Sequence, residues 1–310
     1  MPDLTIGVSL GRKHLRLVQL RREGGVEQVV RTLELPVPEP LDLAFLMDDA
    51  KRAGWRQELS TLVGDLPAEA TAVVAIPVGF CALRVFPVDA DLTDDELAEQ
   101  SKWELEHLVL SPADEYYYGS DRIQAEVGLT DTAVLVAVRK SVASAVRDLL
   151  SGLGPRIVAV EADVFAAQRA FEQNYDLDDL HPTVLLERSG ARLNGVLLKR
   201  GGMFRYISDL LQELSDDAPA PAAAEAFRNA VERLARAQGA LESLEELAGI
   251  YLYGDEQSEA FVDALRDTSE ARVEKLNPFR RLRLAPDAID ELVLETRPEG
   301  FAAAVGASLW

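Results

Sequence analysis

Leu4-Thr5-Ile6-Gly7-Val8-Ser9-Leu10-Gly11-Arg12-Lys13-His14-Leu15-Arg16-Leu17-Val18-Gln19-Leu20-Arg21-Arg22-Glu23-Gly24-Gly25 is the stretch on which the fold turns. Apolar and β-branched residues fill Leu4 to Leu10, Gly11 interrupts them, and apolar residues resume from Leu15 to Leu20. That pattern reads as strand, turn, strand. Arg21 to Gly25 makes a second turn and Val26 to Leu35 a third strand, ended by Pro36, Pro38 and Pro40. The same punctuation returns half a chain later. Thr183 to Leu186, a turn at Arg188-Ser189-Gly190, Val196 to Leu198, a turn at Lys199-Arg200-Gly201-Gly202, and Met203 to Ile207 form a second such meander. Two matching meanders predict two duplicated lobes.

Between the meanders, 71–77 and 80–86 read as strands, and Thr93-Asp94-Asp95-Glu96 is a capping box opening a helix over 94–108. Leu97, Ser101, Leu105 and Leu108 share one face of that helix, with Trp103 roughly opposite. A tryptophan off the stripe needs a second surface, either a neighbouring domain or a partner, since tryptophan is enriched at interface hot spots. Thr132 to Val138 predicts a strand, and Val142, Val146, Leu149, Leu150 and Leu153 one face of a helix stopped by Gly152, Gly154 and Pro155. Strand 157–160 and helix 164–171 complete the first half. After an acidic, Pro/Ala-rich linker at 215–221, Phe227, Val231, Leu234, Leu241 and Leu244 keep helical register, Ile250 to Tyr253 reads as a buried strand, and 301–310 as a terminal helix.

Composition narrows the function. The 310 residues suffice for two ordinary domains or one large α/β unit. Acidic residues number 53 against 32 basic ones, a formal charge of −21, which opposes nucleic acid and anionic membrane as partners. Cys81 is the sole cysteine, so there is no internal disulfide, and one thiol with three histidines makes no usual structural zinc site. No stretch approaches the roughly 20 apolar residues of a membrane span. A reducing cytoplasm is the expected setting, and no metal is expected.

Gly7-Val8-Ser9-Leu10-Gly11 matches the hydrolase elbow pattern G-x-S-x-G, but that motif requires a strand-to-helix turn, and a strand follows here. His14, His107 and His181 lack a supporting motif, and neither G-x-G-x-x-G nor a P-loop occurs. No catalytic residue is nominated.

Several segments in order resemble the type IV pilus assembly protein PilM family, bacterial relatives of the cell-division protein FtsA. They are Ile6 to Gly11 with Leu15 to Leu20; Glu99-Gln100-Ser101-Lys102-Trp103-Glu104 with Leu110-Ser111-Pro112; Val160 to Ala166 with Arg169-Ala170-Phe171; Leu276-Asn277-Pro278-Phe279; and Ala304-Val305-Gly306. The resemblance implies an α/β, actin-like ATPase (ribonuclease H-like) fold of two duplicated lobes with a small inserted α+β domain. It sets the first lobe at 1–76 and 157–182, the insert at 77–156, and the second lobe at 183–310 with a reduced helical subdomain. It also implies a nucleotide cleft whose degenerate candidates are Ser9, Gly11, Arg16, Glu187, Asn194 and Gly254.

This sequence departs from the family pattern at that cleft. Ser9 stands where the first loop carries an aspartate, and Arg12 and Lys13 replace small hydroxyl residues. Glu187 keeps a charge, Ser189 replaces a glycine, and Tyr253-Gly254-Asp255-Glu256 brings two carboxylates to the adenosine segment. Like charges about 5 Å apart at an effective dielectric near 20 repel by ~3 kcal/mol, roughly a hundredfold in affinity. The expectation is a scaffold that has lost ATP hydrolysis, with ATP and Mg²⁺ disfavoured as cofactors. The resemblance implies a partner too: the cytoplasmic N-terminal segment of a PilN-like inner-membrane protein, held near the insert, where Trp103 helps shape the region, with a pilus assembly ATPase as a second partner. The protein would be peripheral at the inner membrane through that partner. Two alternatives are a competent actin-like ATPase of the same machinery and a cytoplasmic component of type II secretion.

Overall fold

The computed structural model describes residues 3–89, 91–123, 131–178, 180–189, 192–199, 202–210, 219–237, 244–255 and 257–310. The opening stretch forms β1 (Asp3–Leu10), β2 (His14–Glu23) and β3 (Val26–Pro36), paired antiparallel in sequence order. Residues 5–10 and 15–20 of the first two strands are all buried, because helices cover both faces of the sheet and leave no solvent side for polar alternation.

Helices α1 (Leu43–Met47) and α2 (Asp49–Val63) lead to β4 (Thr71–Ile76), which adds parallel to β1. The insert follows: β5 (Cys81–Pro87), α3 (Asp94–Leu108), β6 (Tyr116–Ile123) and β7 (Thr132–Arg139), its three strands ordered β5-β7-β6. Phe86, Leu97, Leu105 and Leu135 fill its own small core. Thr93 and Glu96 close the expected capping box reciprocally. Leu108 is only half-buried, and its place on the buried face goes to Glu104, which pairs with Arg84 at 2.9 Å.

Helix α4 (Lys140–Leu149) then returns to the first lobe. Its Val142, Val146 and Leu149 join Phe45, Trp55 and Leu59 under the first sheet. The insert boundary expected at 156 is therefore corrected to the end of β7, since the burial of that apolar face decides where the helix belongs. Strand β8 (Arg156–Ala162) completes the order β3-β2-β1-β4-β8, and α5 (Asp163–Asn174) crosses to the second half.

There the pattern repeats. Strands β9 (Thr183–Ser189), β10 (Arg192–Lys199) and β11 (Gly202–Leu210) form the second meander, α6 (Ala220–Ala237) follows, and β12 (Gly249–Tyr253) adds parallel to β9. After α7 (Glu259–Thr268), β13 (Val273–Lys275) completes the order β11-β10-β9-β12-β13, which matches the β3-β2-β1-β4-β8 part of the first sheet. Phe227, Val231, Phe261 and Leu265 seal its outer face. Of the helical register read through Leu241 and Leu244, Leu244 instead begins a short 3₁₀ turn, and Leu241 and Gly239 lie outside the described residues.

The last segment leaves the second sheet. Strand β14 (Arg283–Leu284) pairs with β3, α8 (Glu291–Thr296) follows, and α9 (Ala302–Ser308) packs on α5 and β1. Residues from 283 therefore pack with the first sheet, a correction to a second lobe running unbroken to 310. Asn174 fixes this return. Its amide donates to Ala170 O (2.8 Å) and Pro278 O (2.7 Å), and its oxygen accepts from Arg281 N (2.7 Å), satisfying a fully buried side chain completely. Helices α5 and α9 thus lie between the two sheets, where Phe171 stacks on Tyr175 at 4.8 Å between ring centroids and Tyr251 meets both rings edge-on at 4.9 and 5.0 Å.

Candidate functional site

Two places concentrate chemistry: the cleft between the lobes and a groove beside the insert. In the cleft, β1 runs out at Leu10 into a turn, and facing it β12 ends at Tyr253. Gly254 has φ +95°, a conformation that favours glycine, and a Cβ there would crowd the Glu187 side chain at 3.0 Å. That turn aims Asp255 at the opposite lobe. Its Oδ2 accepts from Lys13 N at 2.9 Å and His14 N at 3.2 Å, while Oδ1 lies 3.3 Å from His14 Nδ1 and bonds Arg16 Nη1. Arg16 in turn donates from Nε to Glu34 at 2.7 Å, and Arg297 pairs with the same Glu34 at 2.8 Å. The Arg16 and Asp255 side chains are each 5% exposed. Burial alone would raise the Asp255 pKa, but His14, Arg16 and the Lys13 amide outweigh it and hold the carboxyl well below the usual range.

Among the described residues a cavity of about 20 Å³ lies between the lobes, lined among others by Ser9, Arg16, Asp163, Glu187, Tyr253 and Asp255. That is room for one water, against several hundred Å³ for an ordinary ligand pocket. Ser9, Gly11, Arg16, Glu187 and Gly254, all expected at the cleft, do line it. Asn194 does not: it sits behind Glu187 (Nδ2 to Oε2, 3.4 Å), accepting from Ser208 at 3.1 Å and Tyr206 at 3.4 Å. The charge of Asp255 is met within the protein, by Arg16 and two backbone amides. Glu256 lies outside the described residues.

Two cavity residues are not foreseen by the sequence patterns. Asp163, at the start of α5, accepts from Val78 N at 2.9 Å, and burial pushes its pKa up to about 7 against that hydrogen bond. Tyr253 has a fully buried hydroxyl without a hydrogen-bond partner, and burial raises its pKa well above the ordinary value. Asp163 falls inside the Val160 to Ala166 segment and Tyr253 inside a predicted strand, but burial across a cleft leaves no local trace in sequence.

The groove has about 690 Å³. Its floor is Val134, Val136 and Val138 of β7, and one wall is Phe165 and Arg169 of α5. Residues 117–121 of β6 line the other side, and β6 is an edge of its sheet. Arg169 is fixed there by both oxygens of Glu161 (3.0 and 2.8 Å) and by Gly306 O (2.8 Å). Trp103 is elsewhere. It is 55% exposed on α3, its ring 4.0 Å from that of His107, and it does not line the groove. Among the described residues no cluster of metal-ligating side chains occurs, and no helix is long and apolar enough to cross a membrane.

Neither a protein-family profile nor a curated protein matches the sequence. Solved structures do. The chain superposes on the structure described as a PilM-PilN type IV pilus biogenesis complex with TM-score 0.74 and 19% identity, covering 98% of this chain and 97% of that one. It superposes on a Bacteroides thetaiotaomicron protein described as having an actin-like ATPase fold and unknown function with TM-score 0.52 and 9% identity, covering 89% and 91%. The chain has the actin-like fold. Its paired sheets are the two halves of that fold, and the cavity at Asp255 lies in the actin-like interlobe cleft. The cytoplasmic domain of EpsL, an inner-membrane component of the Vibrio cholerae type II secretion system, gives TM-score 0.49 at 12% identity, over 88% of this chain and 90% of that one.

Proposed function

We propose that this protein is a scaffold of a type IV pilus or related secretion machine, which holds the N-terminal cytoplasmic segment of a PilN-like membrane protein in the groove between insert and α5. The observation that carries the reading is the groove itself. An apolar floor runs beside five consecutive residues of an edge strand, the arrangement that receives an extended peptide by strand addition. Backbone groups of β6 supply affinity, and the valine floor takes alternate side chains of the guest. The likeness in fold to a protein solved as a PilM-PilN complex supports the choice of partner.

The interlobe cleft supports scaffold over ATPase. Where the actin-like fold implies a nucleotide with Mg²⁺, the described residues do not fit it: the loop amides and Arg16 already bind Asp255, Ser9 offers no carboxylate to a metal, and the cavity they line holds about 20 Å³. We therefore assign no hydrolytic step. The protein would sit at the inner membrane through its partner, with a pilus assembly ATPase as a further contact.

Fluorescence anisotropy with a labelled synthetic peptide of the neighbouring membrane protein's N-terminus tests this. Saturable binding is expected, weakened at least tenfold by Val136→Arg, which sets an unpaired charge on the apolar floor. Absence of binding, or binding indifferent to Val136→Arg, rejects the groove as the site.

A further inference from the structure

We infer that the β1–β2 turn is an anion hole whose ligand is tethered to the protein: Asp255 occupies it from the opposite lobe and keeps the lobes closed without a nucleotide. The donors converge as they would on a phosphate. Two successive backbone N–H groups, of Lys13 and His14, meet one carboxylate oxygen, and the His14 ring and the Arg16 guanidinium meet the other. Successive amides with a guanidinium are a general recognition set for anions with several acceptor oxygens. Here the chain provides the anion itself, 239 to 242 residues further along.

The hole is built rigidly. Arg16 is held on several sides: Glu34 accepts from its Nε, its guanidinium lies 5.5 Å from the Phe301 ring centre, and Gly300 approaches so closely that a Cβ there would come within 2.6 Å of it. The approach is equally tight on the turn side, where a Cβ at Gly11 would meet Asp255 Oδ2 at 2.5 Å. The second lobe is tied at a neighbouring point as well: Gly254 N donates to Glu299 O at 3.3 Å, and Lys275 pairs with Glu299 at 3.2 Å. Asp255 is therefore the central contact of a seam between the lobes, and the seam closes over the cavity of about 20 Å³.

If the carboxylate is the ligand, deleting it leaves a buried cationic hole that a free anion of the same class fills. The decisive variant is Asp255→Ala, titrated with inorganic phosphate in a thermal-shift assay. The variant is expected to melt lower than the parent and to regain several degrees as phosphate saturates, while the parent shows no saturable response. Sodium chloride at equal ionic strength controls for screening. A variant that melts like the parent, or whose melting is indifferent to phosphate, overturns the inference.

Should Asp255→Ala not fold, hydrogen exchange on the unmodified protein decides. The Lys13 and His14 amides are expected to exchange at least a hundredfold more slowly than those of Gly24 and Gly25 in the β2–β3 turn, where a Cβ on either glycine would meet nothing within 4 Å. Equal rates in the two turns would reject the tether. Neither readout involves the groove, so a failure of peptide binding and a failure of the tether are separately visible.

Discussion

At the scale of single residues, Asp163 shows how the fold sets a group's chemistry independently of its type. Its folded pKa stands at about 7 because burial outweighs the hydrogen bond from Val78, whereas an unfolded aspartate titrates near 3.9. A raised folded pKa means that the native state holds the proton longer than the unfolded chain. The stabilising contribution is present in full below pH ~4 and is lost progressively as the pH rises to about 7. Asp163→Asn keeps an oxygen for Val78 N and removes the titration. Denaturant titrations at pH 5 and pH 8 are expected to show the variant gaining on the parent by roughly 2–4 kcal/mol over that interval. An unchanged difference would mean that Asp163 is ionised throughout. Asp255 has the opposite sign. Its depressed pKa contributes stability above pH ~4 that acid removes, so both carboxylates of one cavity are distinguishable by pH alone.

At the scale of elements, the packing of α9 on α5 depends on the absence of a side chain. A Cβ on Gly306 would lie 1.6 Å from Ala166 O, and that atom is backbone in a buried helix, so nothing yields short of moving α9 away from α5. Gly306→Ala is expected to cost about 3 kcal/mol or more by urea denaturation, well above the few tenths of a surface change. Sequence already placed alanines and Gly306 in a terminal helix, because small residues at close spacing announce close packing. Other elements were less legible. The first meander was readable because Gly11 and Gly24-Gly25 break continuous apolar runs at strand length. The home of α4 was not, since an apolar helix face names no partner, and Val142 and Val146 fit either the insert or the first lobe. Glu104 was missed on α3 for a related reason: a carboxylate becomes buried there only because Arg84 reaches it from another element.

At the scale of the whole molecule, the two-lobed plan was legible and the state of its cleft was not. Repetition of the meander is a local signal given twice, and it led to two sheets of one strand order. Losses at Ser9 and Ser189 were equally local. The seat of Asp255 in the β1–β2 turn joins residues 239 to 242 positions apart, and no spacing rule encodes such a contact. That seam is where the two readings of the molecule as a machine differ. A nucleotide-driven protein alternates between open and closed lobes, with ligand supplying the differential binding energy. On the proposed reading, the protein's own carboxylate already occupies the donors that such a ligand would need. Thermal denaturation with Mg-ATP separates the cases, because a ligand at 100 times its Kd adds about 2.7 kcal/mol, a shift of several degrees in a chain of ordinary unfolding entropy. The parent protein is expected to show no shift at millimolar Mg-ATP and no phosphate release. A saturable rise in Tm with turnover would mean that Asp255 leaves its seat when ATP arrives, and the lobes would then have to be redrawn as the moving parts of an enzyme.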